Sequence, residues 1–196
     1  MLVSGRSTSM AKAWGDSRPY KFMHLPIQSG SQKILDSMLR DHTLEDFWET
    51  VETFRQYYPE IMIITDIITG FPGETDEDHQ KTVDLLNRLL PDLVNLTRFS
   101  PRQGTPAARY KRVNSNTVKA RSKELTELRK KLGAKSFKRF VGKKTSVLAV
   151  ENQRQGSTLC RDDNYRPIII KEELPLGEFY DVEIIDSDYA FLTAVL

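Results

Sequence analysis

Three polar residues, Gln28, Asp66 and Arg40, are the candidates for ligand chemistry. Gln28 closes the stretch His24-Leu25-Pro26-Ile27-Gln28 and is followed by Ser29-Gly30-Ser31. A helix pattern begins directly behind it, and a helix start leaves backbone amides free for a polar or anionic ligand. Asp66 interrupts the apolar run of residues 61–69. A carboxylate in such a strand is costly unless it has hydrogen-bond partners. With Gln28 beside it, it has the chemistry to accept hydrogen bonds from ribose hydroxyls. Arg40, one short helix after Gln28, carries the planar fork that pairs with a carboxylate in bidentate fashion. Taken residue by residue, the structural readings are the stronger: an acid bonded to neighbouring backbone, and an arginine at a surface helix end.

Two loops extend this set. Gly70-Phe71-Pro72-Gly73-Glu74-Thr75 has the glycines of a phosphate-cradling loop but lacks the Lys-Ser/Thr of a nucleoside-triphosphate loop. As a tight turn, its glycines permit left-handed backbone. Ser100-Pro101-Arg102-Gln103-Gly104-Thr105-Pro106-Ala107 puts Arg102 on a second turn, to meet ligand or solvent. His24, His42 and His79 are too scattered to form a metal set; His24 reads as a packed strand residue, the other two as surface residues. No Ser-His-Asp arrangement or acid pair stands out, and no metal ligands are expected. The single cysteine, Cys160, excludes an internal disulfide and a cysteine-ligated iron–sulfur cluster built from this chain alone. It reads as a small core residue of a strand.

The elements that must hold these residues alternate. Residues 1–18 lack periodicity and are expected to be irregular. Residues 20–28 read as a strand. Ser31 then caps a short helix with Ile34, Leu35, Met38 and Leu39 on one face, and Thr43 opens another, with Leu44, Phe47, Trp48, Val51 and Phe54 as its apolar stripe. The β-branched run 61–69 reads as a parallel strand covered on both faces. Thr75 or Asp76 caps the next helix, whose acidic first turn suits the helix dipole. Residues 93–99 form a third strand. Such strand–helix alternation predicts a parallel α/β sheet, and three strands cannot close a barrel. Ser115 or Asn116 opens a long basic helix reaching about residue 140. Short strands separated by turn signals then predict a small all-β barrel. The expected organisation is an irregular 1–18, an α/β unit over 19–139 and a β unit over 140–196.

Composition supports a packed protein, with 39% hydrophobic and 29% charged residues. No apolar run is long enough to span a membrane and no secretory signal pattern opens the chain, so a cytoplasmic location is expected. The net charge of +2 hides a block pattern: residues 98–144 carry a net +14, while the segments on either side carry −6 each. A basic block of that density suggests a polyanion partner, although a solvated helix face paired with acidic flanks gives the same run.

Taken jointly, HLPIQSGS, TDIITGFPGE and SPRQGTPA resemble the later strands of a radical S-adenosylmethionine (SAM) barrel, specifically that of the methylthiotransferases. The stretches 140–143, 158–166 and 189–196 are similar to a TRAM domain, a small RNA-gripping β-barrel. The phrase PDLVNLTRFSPRQGTPA looks closest to the archaeal and eukaryotic branch that acts on threonylcarbamoyladenosine beside the tRNA anticodon. The resemblance implies a partial (β/α) barrel followed by a TRAM-like barrel. It implies SAM as cofactor, met by Gln28, Ser29, Arg40, Asp66, Gly70 and Arg102. In the family, Gln and Asp hold the ribose and Arg the methionine carboxylate. It also implies tRNA contacts from Arg139, Lys143, Lys144, Arg154, Arg161, Tyr165 and Arg166. The family's iron–sulfur clusters need a Cys-x-x-x-Cys-x-x-Cys motif, which this chain lacks. The expectation is a chain that supplies part of the SAM pocket and the tRNA grip, does not catalyse alone, and partners a segment carrying the cluster. A stand-alone RNA-binding protein without catalysis is the alternative.

Overall fold

A three-stranded parallel sheet and a closed five-stranded barrel make up the fold, in a computed structural model that describes residues 6–15, 20–153 and 156–196. The sheet runs in the order β1 (Phe22–His24), β2 (Met62–Thr69), β3 (Leu93–Arg98). Between β1 and β2 lie α2 (Gln32–Ser37) and α3 (Leu44–Tyr57); between β2 and β3 lies α4 (Asp76–Leu89). The first strand is shorter than expected. Proline at position 26 has no amide to give the ladder, and the chain rejoins β2 only through one bridge between Gln28 and Ile67. Part of the N-terminal segment read as irregular is a helix, α1 (Arg6–Ala13), which buries Ala11 and leads into Trp14 edge-on to Phe54. Residues 1–5 and 16–19 of that segment lie outside the described set.

Both long helices of the sheet unit start on a complete capping box. Thr43 and Asp46 close α3, and Thr75 and Asp78 close α4. Each box satisfies two amides that helix geometry leaves unpaired. Ser31 sits at the N-cap of α2 but does not cap it; its hydroxyl donates to Asp78 instead, at 2.7 Å. The long helix α5 (Ser115–Lys138) is capped by Asn114, one residue ahead of the expected pair.

The period-two rule splits β2 cleanly. Ile63, Thr65, Ile67 and Thr69 face helices α3, α4 and α5 and are buried with Phe47, Phe54, Leu86, Leu89 and Leu125. Ile64, Asp66 and Ile68 lie on the other face and are only half-buried. The strand is therefore not covered on both sides along its length, as its composition suggested. At the lower end of this second face, Met62, Phe22, Ile64 and Leu93 pack into the core of the β-barrel.

That barrel joins β4 (Lys144–Gln153), β5 (Ser157–Arg161), β6 (Pro167–Ile170), β8 (Leu192–Val195) and β7 (Phe179–Ser187) in closed order. Alternate residues Val147, Ala149, Cys160, Ile168, Ile170, Val182, Ile184, Leu192 and Ala194 fill it, and Phe137 and Phe140 from the end of α5 seal one end. Closure leaves this unit without an exposed strand edge.

Two glycines mark contacts too close for a side chain. A Cβ on Gly30 would lie 2.3 Å from the carbonyl oxygen of Lys81 in α4, and one on Gly133 of α5 would lie 2.1 Å from that of Tyr189 in the barrel. Gly30→Ala is expected to lower stability by about 1–3 kcal/mol, the usual range for forced overpacking, read as a reduced urea midpoint with an unchanged m-value.

Candidate functional site

The upper part of the open sheet face carries a polar band. Asp66 on β2 accepts a hydrogen bond from the Asn95 side-chain amide at 2.9 Å and pairs with His24 Nε2 at 2.9 Å. Parallel register places Asn95 beside Asp66, and His24 lies opposite Ile64 on the neighbouring strand. Both contacts fall on Oδ1. Oδ2 has no hydrogen bond to any described residue, and the side chain is about one-third exposed. The cost of a carboxylate in an apolar strand is thus met on one oxygen, while the other stays open as an acceptor. His24, expected to be packed, is exposed and belongs to this band. His42 and His79, expected at the surface, are buried, the latter against Glu124 at 3.0 Å.

Above the band, a cavity of about 440 Å³ opens between the turn after α2 and the loops after β2 and β3. Arg40 and Arg102 line it together with Ile68, Phe71, Thr97 and Phe99. Phe71 and Phe99 meet edge-to-face at 5.0 Å. Two guanidinium groups against an apolar and aromatic wall suit a ligand with a carboxylate at one end and a flat or apolar body. The structure therefore brings Arg40 and Arg102 to one cavity and sets Asp66 on the same sheet face.

Gln28 joins the two levels through its backbone. Its amide donates to the Asp66 carbonyl at 2.8 Å and its carbonyl accepts from Ile68 at 2.9 Å. It holds a left-handed φ of 74°, which in a non-glycine residue is strain retained by its surroundings. Its side chain is buried and makes no hydrogen bond to the described residues. Ser29 is turned the other way. Its hydroxyl meets Thr82 of α4 and accepts from the Ser31 amide, so its side chain does not face the cavity as expected. Gly70 likewise spends its amide on Glu74 Oε2, at 2.9 Å.

Two charged hubs hold the rim. Arg121 of α5 pairs with Glu74 Oε2 at 2.7 Å and with Asp76 at 2.7 Å, tying the Gly70–Glu74 turn to the long helix. Both Glu74 and Arg121 are buried, so the pair is sustained by hydrogen bonds on both partners. Asp78 accepts from the Ser31 hydroxyl, the Lys33 ammonium and both the amide and hydroxyl of Thr75. Burial acts to raise its pKa, but the bonds from Lys33, Thr75 and Ser31 outweigh it and hold the carboxyl well below the ordinary carboxylate range.

Of the residues expected to touch RNA, Arg139, Lys143 and Lys144 are exposed near the junction of α5 and the barrel. Tyr165, Arg161 and Arg166 are engaged elsewhere. Tyr165 stacks on Phe22 of β1 at 4.5 Å and 21°, with the Arg161 guanidinium 4.2 Å from the centre of the Tyr165 ring. Arg166 is buried, pairs with Asp162 at 2.8 Å and donates to the Glu60 carbonyl at 2.6 Å. These contacts correct the expectation for Arg166, which is a joint between barrel and sheet and is not free for phosphate. Arg154 lies outside the described residues.

A parallel α/β sheet with its cavity at the C-terminal ends of the strands places the site where α/β folds bind their ligands. Residues 3–86 match the family model described as the radical SAM superfamily. The solved coproporphyrinogen III oxidase of Escherichia coli overlays 64% of this chain and 29% of its own, with a TM-score of 0.52 at 16% identity, a likeness of fold alone.

Sequence relatives narrow the class. The chain is 43% identical over 95% of its length to the probable threonylcarbamoyladenosine tRNA methylthiotransferase of Archaeoglobus fulgidus. It is 40% identical over 92% to that of Pyrococcus horikoshii, and 32% identical over 93% to the human enzyme of the same name. It covers 44%, 42% and 32% of those relatives respectively, so it spans less than half of their length. Over most of its own length the chain is thus similar to radical SAM tRNA methylthiotransferases. No helix among the described residues is long and apolar enough to cross a membrane.

The Asp78 hub predicts acid sensitivity with a definite sign. Because its folded pKa lies below the unfolded value of 3.8, its stabilisation is complete above that value and drains as pH falls toward the folded one. Asp78→Asn is expected to cost about 1–3 kcal/mol at pH 7, and urea unfolding of the two proteins should stay apart down to about pH 4 and draw together only as pH falls further.

Proposed function

We propose that this chain provides part of a SAM pocket and an RNA grip to a tRNA methylthiotransferase acting on N6-threonylcarbamoyladenosine beside the anticodon. The names of the relatives support the reaction class. The observation that carries the pocket is Asp66 Oδ2, which no described residue bonds, on the same open face as the Arg40–Arg102 cavity. Asp66 accepts hydrogen bonds from the ribose, Arg40 or Arg102 clamps the methionine carboxylate, and Phe71 and Phe99 exclude water from the apolar side. SAM, when bound, supplies the radical-generating group.

The residues of this chain do not fit an iron–sulfur cluster. Its one cysteine is fully buried in the β-barrel, where burial raises the thiol pKa. No group of three or more potential metal ligands occurs among the described residues. The cluster therefore belongs to another segment or subunit, which completes the open side of the sheet. The tRNA-binding part of the proposal rests on the exposed Lys143 and Lys144 and on the basic α5, with the five-stranded barrel in the role of a TRAM domain.

Calorimetric titration of SAM into the purified chain tests the pocket. Asp66→Asn and Arg40→Ala should each weaken binding about 10- to 100-fold, the worth of one hydrogen bond to a charged group. An unchanged affinity in both would remove these residues from the pocket. Titration of a tRNA anticodon stem-loop at rising salt tests the grip: Lys143→Ala and Lys144→Ala should each reduce the log–log salt slope by about 1. Salt-dependent RNA binding with no SAM binding would favour the stand-alone RNA-binding protein. Reductive SAM cleavage by this chain alone, after iron–sulfur reconstitution, would overturn the view that the cluster comes from elsewhere.

A further inference from the structure

We propose a phosphate-binding pocket at the opposite end of the sheet from the SAM cavity, formed by Arg55, Lys135 and Arg139. A cavity of about 380 Å³ opens there, below the N-terminal ends of β2 and β3, where Ile61 and Asp92 lie. Two separate stretches of chain place three cations on its wall. Arg55 comes from the last turn of α3, Lys135 from the last turns of α5, and Arg139 from the C-cap of α5.

Their charges are poorly matched by the protein. The one carboxylate lining the cavity is Asp92, and it is already committed. Its Oδ2 accepts from the Ile63 amide at 2.7 Å, and its Oδ1 accepts from the Ser136 hydroxyl. What it gives Arg139 is a 3.5 Å contact at the outer limit of a hydrogen bond. Arg55 has no carboxylate partner among the described residues; one guanidinium nitrogen donates to the Leu89 carbonyl at 2.5 Å. Lys135 is exposed and makes no ion pair with a described residue. Burial lowers the Arg55 pKa, the Asp92 charge acts to restore it, and the Arg139 charge lowers it further. Arg55 and Arg139 thus repel each other across a half-buried space.

Like charges held together at a concave surface are relieved by an anion, and guanidinium forks suit tetrahedral oxyanions in bidentate geometry. A phosphate group is the anion of fitting size and charge. It has two sources: free phosphate, or a phosphodiester of bound RNA. The second source rests on the RNA-grip reading above; the first does not.

Lys135→Ala and Arg139→Gln are the test variants, with Lys131→Ala as an exposed control on the same helix. Lys135 makes no ion pair among the described residues, so its variant is expected to keep the fold, and thermal unfolding checks this. In the first arm, inorganic phosphate is titrated against chloride at matched ionic strength and followed by calorimetry. A free-phosphate site gives saturable binding that Lys135→Ala and Arg139→Gln weaken about tenfold or more and Lys131→Ala does not. In the second arm, an RNA stem-loop is titrated across salt. A phosphodiester site gives a loss of affinity and a salt slope lower by about 1 in each pocket variant, beyond the effect of Lys131→Ala. Phosphate binding without RNA binding keeps the pocket and defeats the RNA grip. If both pocket variants match the control in both arms, the pocket is not a phosphate site.

Discussion

The open face of the sheet is apolar at one end and polar at the other, and the molecule is organised by covering only the first. Met62, Phe22, Ile64 and Leu93 would expose a continuous apolar surface, and the β-barrel removes it from water together with Phe137 and Phe140. Burial of this kind is worth roughly 25 cal/mol for each Å² withdrawn. The barrel therefore docks low on the sheet and leaves the Asp66 band and the cavity above it clear. Arg166, reaching the Glu60 carbonyl, and Tyr165, stacked on Phe22, fix the same docking from the side. The position of the open site is a consequence of where the covered part stops.

The charged groups of the α/β unit divide into those that are spent and those that are not. Asp78, Glu74, Arg121 and Asp92 are buried and accept or donate to several partners each. They make the strand ends and helix starts rigid, which a binding site requires of its surroundings. Asp66, Arg40 and Arg102 keep at least part of their hydrogen-bonding capacity toward open space. A carboxylate bonded twice on one oxygen is oriented without being saturated.

Much of this was legible in the sequence, for reasons that are local. The strand–helix alternation, the caps at Thr43 and Thr75, and the all-β tail follow from periodicity and turn chemistry over a few residues. Asp66 stood out because a charge in an apolar run demands an explanation. What escaped depends on distant partners. His24 carries no sign of its alliance with a residue 42 positions away, nor Arg166 of its bond to a carbonyl 106 positions away. The Ser29 hydroxyl reads as a ligand contact until Thr82 is placed beside it. The helix Arg6–Ala13 has weak periodicity of its own and is supported by α3. His24 had one signal available, a polar side chain in the same short run as Gln28.

The long helix α5 is also the molecule's ruler. Arg121 near its start holds the cavity rim, and Phe137 near its end is sunk in the β-barrel. Sixteen helical steps separate them, about 24 Å at 1.5 Å each. At Gly133 the helix backbone passes so close to Tyr189 that it has no room to slide. One residue added between Arg121 and Phe137 would rotate the far end by about 100° and turn Phe137 out of the barrel. The spacing between cavity and barrel is thus a fixed length, and anything gripped at both ends must match it.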